Sequence, residues 1–131
     1  MVNPFKTGDS KVFTHIVEMA DIAAFESGVV HQVYSTFCLT RDAEWSTRLF
    51  VLEMKDADEE GIGTFIEVIH RSPAKVGSTV NFYATLEAVN GHEIICSFIA
   101  KCVERIIAEG KTGQKILKKE KLNRIMAAIE N

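Results

Sequence analysis

The sequence predicts an α+β domain in which one antiparallel sheet carries one long helix. Three observations lead there. A single helical stripe occupies residues 40–55, the apolar runs after it repeat with period two, and the later runs are joined by turns too short for a crossover. A chain of 131 residues, 47% hydrophobic and 25% charged, suits one such domain over residues 1–131. At that size the core forms without a disulfide framework or a structural metal.

Each element follows from its own pattern. In residues 11–17, Val12, Thr14 and Ile16 alternate with Phe13, His15 and Val17, which predicts a first strand. Residues 18–32 carry Gly28 and no sustained period, so a helical turn and a loop covering a pocket are expected. In residues 40–55, Trp45, Leu49 and Leu52 recur at helical spacing, and Phe50, Val51 and Met54 widen the stripe. Thr40 suits the N-cap and Asp42 the positive end of the helix dipole, so a long, largely buried helix is expected to begin there. The acidic residues 56–60 with Gly61 and Gly63 then turn the chain.

After the turn, Ile62, Thr64, Ile66, Val68 and His70 share one face of a strand and Phe65, Glu67 and Ile69 the other, until Pro73 and Gly77 stop it. Residues 78–89 and 93–103 read as two long strands around Asn90-Gly91, a dipeptide suited to a type I′ hairpin turn. A tight turn at Glu104-Arg105 leads into a further strand over residues 106–117, and residues 118–129 read as a short terminal helix.

Composition removes several function classes. Cys38, Cys96 and Cys102 are odd in number and lack C-x-x-C spacing, which argues against a zinc site or a secreted disulfide scaffold and favours a reducing compartment. A cytoplasmic location is expected. The first thirty residues lack a signal-peptide pattern, and no apolar stretch approaches the roughly twenty residues of a membrane span, so no membrane partner is expected. Net charge is −3, yet from Lys111 onward six basic residues stand against Glu120 and Glu130. That local +4 leaves the first 110 residues at −7. It reads either as a site for phosphates or as a solvated helix face; a nucleic-acid binder would carry basic charge over more of its surface.

Known site motifs fail on their context. Residues 56–61 with Glu67 approach an EF-hand loop, but the fifth position is Glu60 and a strand follows where a helix should. Gly110-Lys111-Thr112 resembles the end of a phosphate loop, but Arg105 occupies the position of its first glycine. Gly61-x-Gly63 opens a strand and not a helix, and G-x-S-x-G is absent.

What survives is a hydroxyl, a carboxylate and an imidazole. His70, ending a strand, can accept a proton near neutral pH; Glu44, beside Trp45, can orient the imidazole or activate water; Thr36 can act as nucleophile or position a water. Backbone N–H groups at the helix N-terminus suit a carbonyl oxygen that becomes negative. Taken singly, the same three residues also fit a cap, a wet helix face and a surface histidine.

From about Gly28 to Leu117 the sequence resembles the fluoroacetyl-CoA thioesterase family. The resemblance rests on Ser35-Thr36-Phe37, Glu44-Trp45, Val68-Ile69-His70 with Pro73 and Gly77, the Asn90-Gly91 hairpin, and Ile107-Ala108-Glu109-Gly110. It implies a hotdog fold, in which a curved antiparallel sheet wraps one long helix, and dimers or dimers of dimers with active sites near the subunit interface. It also implies hydrolysis of an acyl-CoA by Thr36, Glu44 and His70 without a metal or redox cofactor. Two departures stand out. The lid segment of residues 24–30 holds one aromatic, Phe25, which argues against a fluoroacetyl group, and Thr112-Gly113-Gln114 stands where relatives often carry His-Glu-Arg.

On one regular helix Thr36 and Glu44 would lie about 12 Å apart along the axis, so Thr36 is expected outside the helix, or the site is completed by a second protomer. Phe37 and Trp45 are expected against the acyl group, with Phe25 and Phe65 setting pocket length, and Lys118 and Lys119 on the coenzyme phosphates. Two rivals remain: a hotdog module that binds an acyl thioester or a small apolar ligand without turnover, and a hotdog hydratase or dehydratase. The second needs an Asp/His placement on the helix that is not found.

Overall fold

The computed structural model describes residues 1–25 and 27–130; Glu26, within the lid segment expected from the sequence, lies outside the described residues. In chain order the elements are β1 (Ser10–Ile16), a 3-10 turn (Met19–Asp21), β2 (Ile22–Phe25), β3 (Gly28–Tyr34), α1 (Thr36–Met54), β4 (Glu59–His70), β5 (Thr79–Asn90), β6 (Glu93–Cys102), β7 (Arg105–Lys118) and α2 (Lys119–Ala128). Five strands form one antiparallel sheet in the order β1-β5-β6-β7-β4, and β2 pairs with β3 in a separate hairpin. Residues 18–32 therefore hold a 3-10 turn and most of a hairpin, where the sequence suggested a helical turn and loop.

The helix lies on the sheet through Leu39, Ala43, Phe50, Val51 and Met54, all fully buried. They meet Phe82 and Phe98 near one end of the sheet and Leu86, Ile94 and Ile116 near the other. Each large side chain buried here contributes about 1.5–3 kcal/mol. Ser46 and Thr47 are also buried on this face, and the Thr47 hydroxyl meets those of Thr112 at 2.8 Å and the Gln114 amide at 3.4 Å on β7. Small and hydroxyl-bearing residues let α1 sit close to the strands.

This corrects the expected helix face. Trp45 and Leu52 stay 42% and 40% exposed, and the covered stripe is one of small residues set between larger ones. The helix also begins earlier than Thr40. Ser35 is the N-cap, its hydroxyl accepting from the Cys38 amide at 3.0 Å, while the Thr40 hydroxyl donates to the Thr36 carbonyl.

Turn positions differ by one residue as well. Asn90 pairs with Glu93, so the loop residues are Gly91 and His92; of these Gly91 alone has positive φ, at 63°, and the type I′ turn does not form. The β6–β7 turn is made by Val103 and Glu104, with Val103 in the left-handed region at φ 57°.

Candidate active site

The 36–70 contact is made by the ends of two elements. Thr36 is the first residue of α1 and His70 the last of β4, and their Oγ1 and Nδ1 atoms are 2.9 Å apart. A hydroxyl that donates to Nδ1 leaves the ring proton on Nε2; one that accepts from Nδ1 leaves a lone pair there. Either way Nε2 is buried and has no hydrogen-bond partner among the described residues. The amides of Thr36 and Phe37 also have no backbone acceptor among the described residues, because the Cys38 and Leu39 amides take the Ser35 hydroxyl and carbonyl.

Beside Thr36 is an apolar cavity of about 590 Å³ bordered by Ile22, Ala23, Ala24, Phe25, Phe37 and Cys38. Phe25 and Phe37 both line this cavity. Trp45 does not; it lies on the outer face of α1.

Glu44 occupies a second location. Thr36 lies on the same helix, contrary to the expectation that it stand outside, and the two are about 12 Å apart along the axis. The Glu44 carboxylate points over β4: a Cβ built on Gly63 would come 2.7 Å from its Oε1. Glu44 and Gly63 border a shallow pocket with Thr64, Phe65 and Ile66. At the same place the β4–β7 register slips, Gly63 facing Gln114 and Phe65 facing Gly113, so Thr64 is an extra residue in a bulge. Within one chain, then, Thr36 and His70 meet and Glu44 does not join them.

Lys118 is opposite Glu59 at the end of β4 remote from His70, and its ammonium binds Asp58 at 2.8 Å. That ion pair raises the Lys118 pKa and lowers that of Asp58. Lys119 opens α2, exposed.

A polar network that sequence reasoning missed holds the first turns of α1. His15 Nε2 lies 2.7 Å from Asp21 and 3.6 Å from Asp42, the Arg41 guanidinium bonds both carboxylates, and the Tyr34 hydroxyl donates to Asp42. Desolvation and the bond to Asp42 push the Tyr34 phenol far above its ordinary range. The Asp21 carbonyl accepts from the Ser35 amide at 2.8 Å, so the network reaches the N-cap directly. His15, Asp21 and Asp42 bring ligand-type atoms within 4.8 Å of one another, but the Arg41 guanidinium already bonds both carboxylates. Adjacent Arg41 and Asp42 were the only local hint, and adjacency alone does not reveal a buried network.

Residues 17–120 match the fluoroacetyl-CoA-specific thioesterase family. The chain belongs to that family. Among solved structures, a Thermus thermophilus hypothetical protein described as a thioesterase superfamily member is 30% identical, with a TM-score of 0.91 over 96% of this chain and 93% of that one. A fluoroacetyl-CoA thioesterase is similar at 19% identity and TM-score 0.85, covering 96% of this chain and 98% of that one. A hot-dog-like protein from Thermanaerovibrio acidaminovorans, 18% identical, superposes with a TM-score of 0.86 over 97% and 95% of the two chains. No match is found among curated protein sequences. The sheet order and central helix are thus those of a hotdog fold, and family membership makes the protein a thioester hydrolase by class.

Proposed function

We propose that this fluoroacetyl-CoA thioesterase family member hydrolyses a small acyl-CoA to the free acid and CoA through Thr36, His70 and Glu44. The observation that carries the reading is the 2.9 Å contact between Thr36 and His70, with the second ring nitrogen buried and unpartnered beside an apolar cavity. His70 takes a proton from the attacking oxygen, either the Thr36 hydroxyl or a water that it positions, and returns one to the departing thiolate. Attack forms the new C–O bond and expulsion breaks the C–S bond. On the Thr36 route a water then cleaves the acyl-threonine. On this reading the amides at the start of α1 stabilise the negative carbonyl oxygen.

Glu44 enters from a second copy of the chain. β4 is an edge strand, and Ile62, Phe65, Ile66 and Ile69 along it are 37–45% exposed on both faces. Antiparallel pairing of two such edges, with Gly63 of one protomer opposite the partner's His70, brings Glu44 to the partner's Thr36–His70 pair. The protein is on this reading a single-domain homodimer with two composite sites. Of the basic pair read for the coenzyme phosphates, Lys118 and Lys119, the first is held by Asp58, which leaves Lys119 as the one without an ion-pair partner among the described residues.

A cytoplasmic location accords with the free thiols of Cys38, Cys96 and Cys102; burial pushes the Cys96 thiol up to about 12. No helix among the described residues is long and apolar enough to cross a membrane.

The test is thiol release from a panel of short and aryl acyl-CoA esters, followed with a chromogenic reagent. Turnover that His70→Ala abolishes in an intact dimer supports the reading. Tight binding without release on every ester would instead make the protein a binding module.

A further inference from the structure

The surplus positive charge of the chain lies at the wrong end of its own sheet to serve its own Thr36–His70 pair. His70 faces Ala108 on β7, whereas Lys118 faces Glu59, eleven residues away along β4 and so about 36 Å distant. Strand alternation removes two of the six basic residues. Thr112 and Gln114 reach Thr47 on α1, so Lys111 and Lys115 project from the opposite face of the sheet.

The acidic residues around the start of α2 are already engaged. Asp58 holds Lys118, Glu60 holds Arg48 at 2.9 Å, and Asp56 and Glu59 share the amino group of Met1. Arg124 lies 3.4 Å from Glu120. Lys119 and Lys121 are exposed and have no ion-pair partner among the described residues. They are the charge left over.

In the antiparallel dimer, the partner's His70 lies opposite Gly63, only four residues from Glu59. The start of α2, on β7 beside β4, then falls about 13 Å along the strands and two strand spacings across from the partner's reacting centre, roughly 16 Å in all before side-chain reach is added. The pantetheine arm of CoA, two amide units with their spacers, spans about as far as five residues of extended chain, roughly 17 Å. We propose that Lys119 and Lys121 of one protomer hold the phosphates of the CoA ester whose thioester lies at the Thr36–His70 pair of the other. The inference rests on the composite-site reading and adds which subunit binds the nucleotide end, and with which residues.

Mixed dimers separate the two claims. A His70→Ala chain paired with a Glu44→Ala chain contains one complete composite site, and recovery of turnover is expected; no recovery overturns the composite site and this inference with it. A His70→Ala chain paired with a Lys119→Glu/Lys121→Glu chain is then decisive. Binding across subunits gives one site with the wild-type KM for acyl-CoA. Binding within a subunit gives only the raised KM of the lysine variant, and that result overturns this inference alone. In the Lys119→Glu/Lys121→Glu homodimer, KM for acyl-CoA should rise about tenfold or more at low salt, with the gap narrowing as salt screens the charges. KM for the matching acyl-pantetheine, which lacks the nucleotide phosphates, should not rise. An unchanged KM for acyl-CoA at low salt also overturns it.

Discussion

The Thr36 hydroxyl lies 2.9 Å from Nδ1 of His70, joining the first turn of the long helix to the last residue of an edge strand. Both residues are positioned by their elements' ends; Thr36 is exposed and His70 is half-buried with its Nε2 covered. Changes there should alter chemistry more than stability. Thr36→Ala and His70→Ala are expected to lower kcat by about 10²–10⁴-fold, with melting temperature held within a few degrees. Thr36→Ser should retain much of the activity, because it keeps the oxygen. Steady-state kinetics beside thermal melts checks this, and a Thr36→Ala variant with full kcat would remove the hydroxyl from the mechanism.

Two glycines two residues apart on β4 should separate structure from function. A Cβ on Gly61 would fall 2.5 Å from Val51 Cγ1 in the core, whereas one on Gly63 meets only the far end of Glu44. Gly61→Ala should therefore destabilise the protein by about 1–3 kcal/mol. Gly63→Ala should leave stability nearly unchanged and displace the carboxylate, lowering kcat by about tenfold or more. Chemical denaturation and kinetics on the same two variants test the contrast. Equal losses of stability would show that Glu44 is not free to yield.

The order of elements was legible because hydrophobic period changes from helical to alternating at the glycines after α1, a local signal that tertiary packing does not reverse. The start of α1 was not. Ser35 and Thr40 are both acceptable caps, and the choice is made by a distant group, the Asp21 carbonyl that holds the Ser35 amide. The covered side of α1 was hidden for a related reason. Trp45, Leu49 and Leu52 form a regular stripe, yet so do Leu39, Ala43, Phe50 and Met54, and periodicity does not say which one meets the sheet. Of the candidate site, residue types pointed to Thr36 and His70, which the fold brings together; the separation of Glu44 follows from the early helix start.

The β4 edge should carry both assembly and activity. Ile66 is 37% exposed next to the Glu44 pocket. Ile66→Lys places a charge on a strand edge that pairing would bury, a substitution that discourages edge-to-edge association. The variant should be a folded monomer by light scattering and should have lost turnover, since Glu44 no longer reaches a partner's Thr36–His70 pair. A monomer with wild-type kcat would show that one chain holds a complete site.

Acid should loosen the start of α1 by a predictable route. Burial opposes charge on Asp21, but the Glu18 amide, His15 and Arg41 outweigh it and hold the carboxyl below its ordinary value. A carboxylate with a depressed folded-state pKa adds stability that is fully present above the unfolded value, about 3.9, and is lost as pH falls through the lower folded value. Asp21→Asn removes that contribution at neutral pH. Melting temperatures of wild type and variant should therefore differ at pH 7, stay apart down to about pH 4, and converge below it. Because Asp21 also accepts the Ser35 amide through its backbone, which the substitution keeps, the helix start should survive and the variant should remain cooperative in melting. A constant gap down to the lowest pH would mean that the ionised carboxylate is not what secures the 3-10 turn to α1.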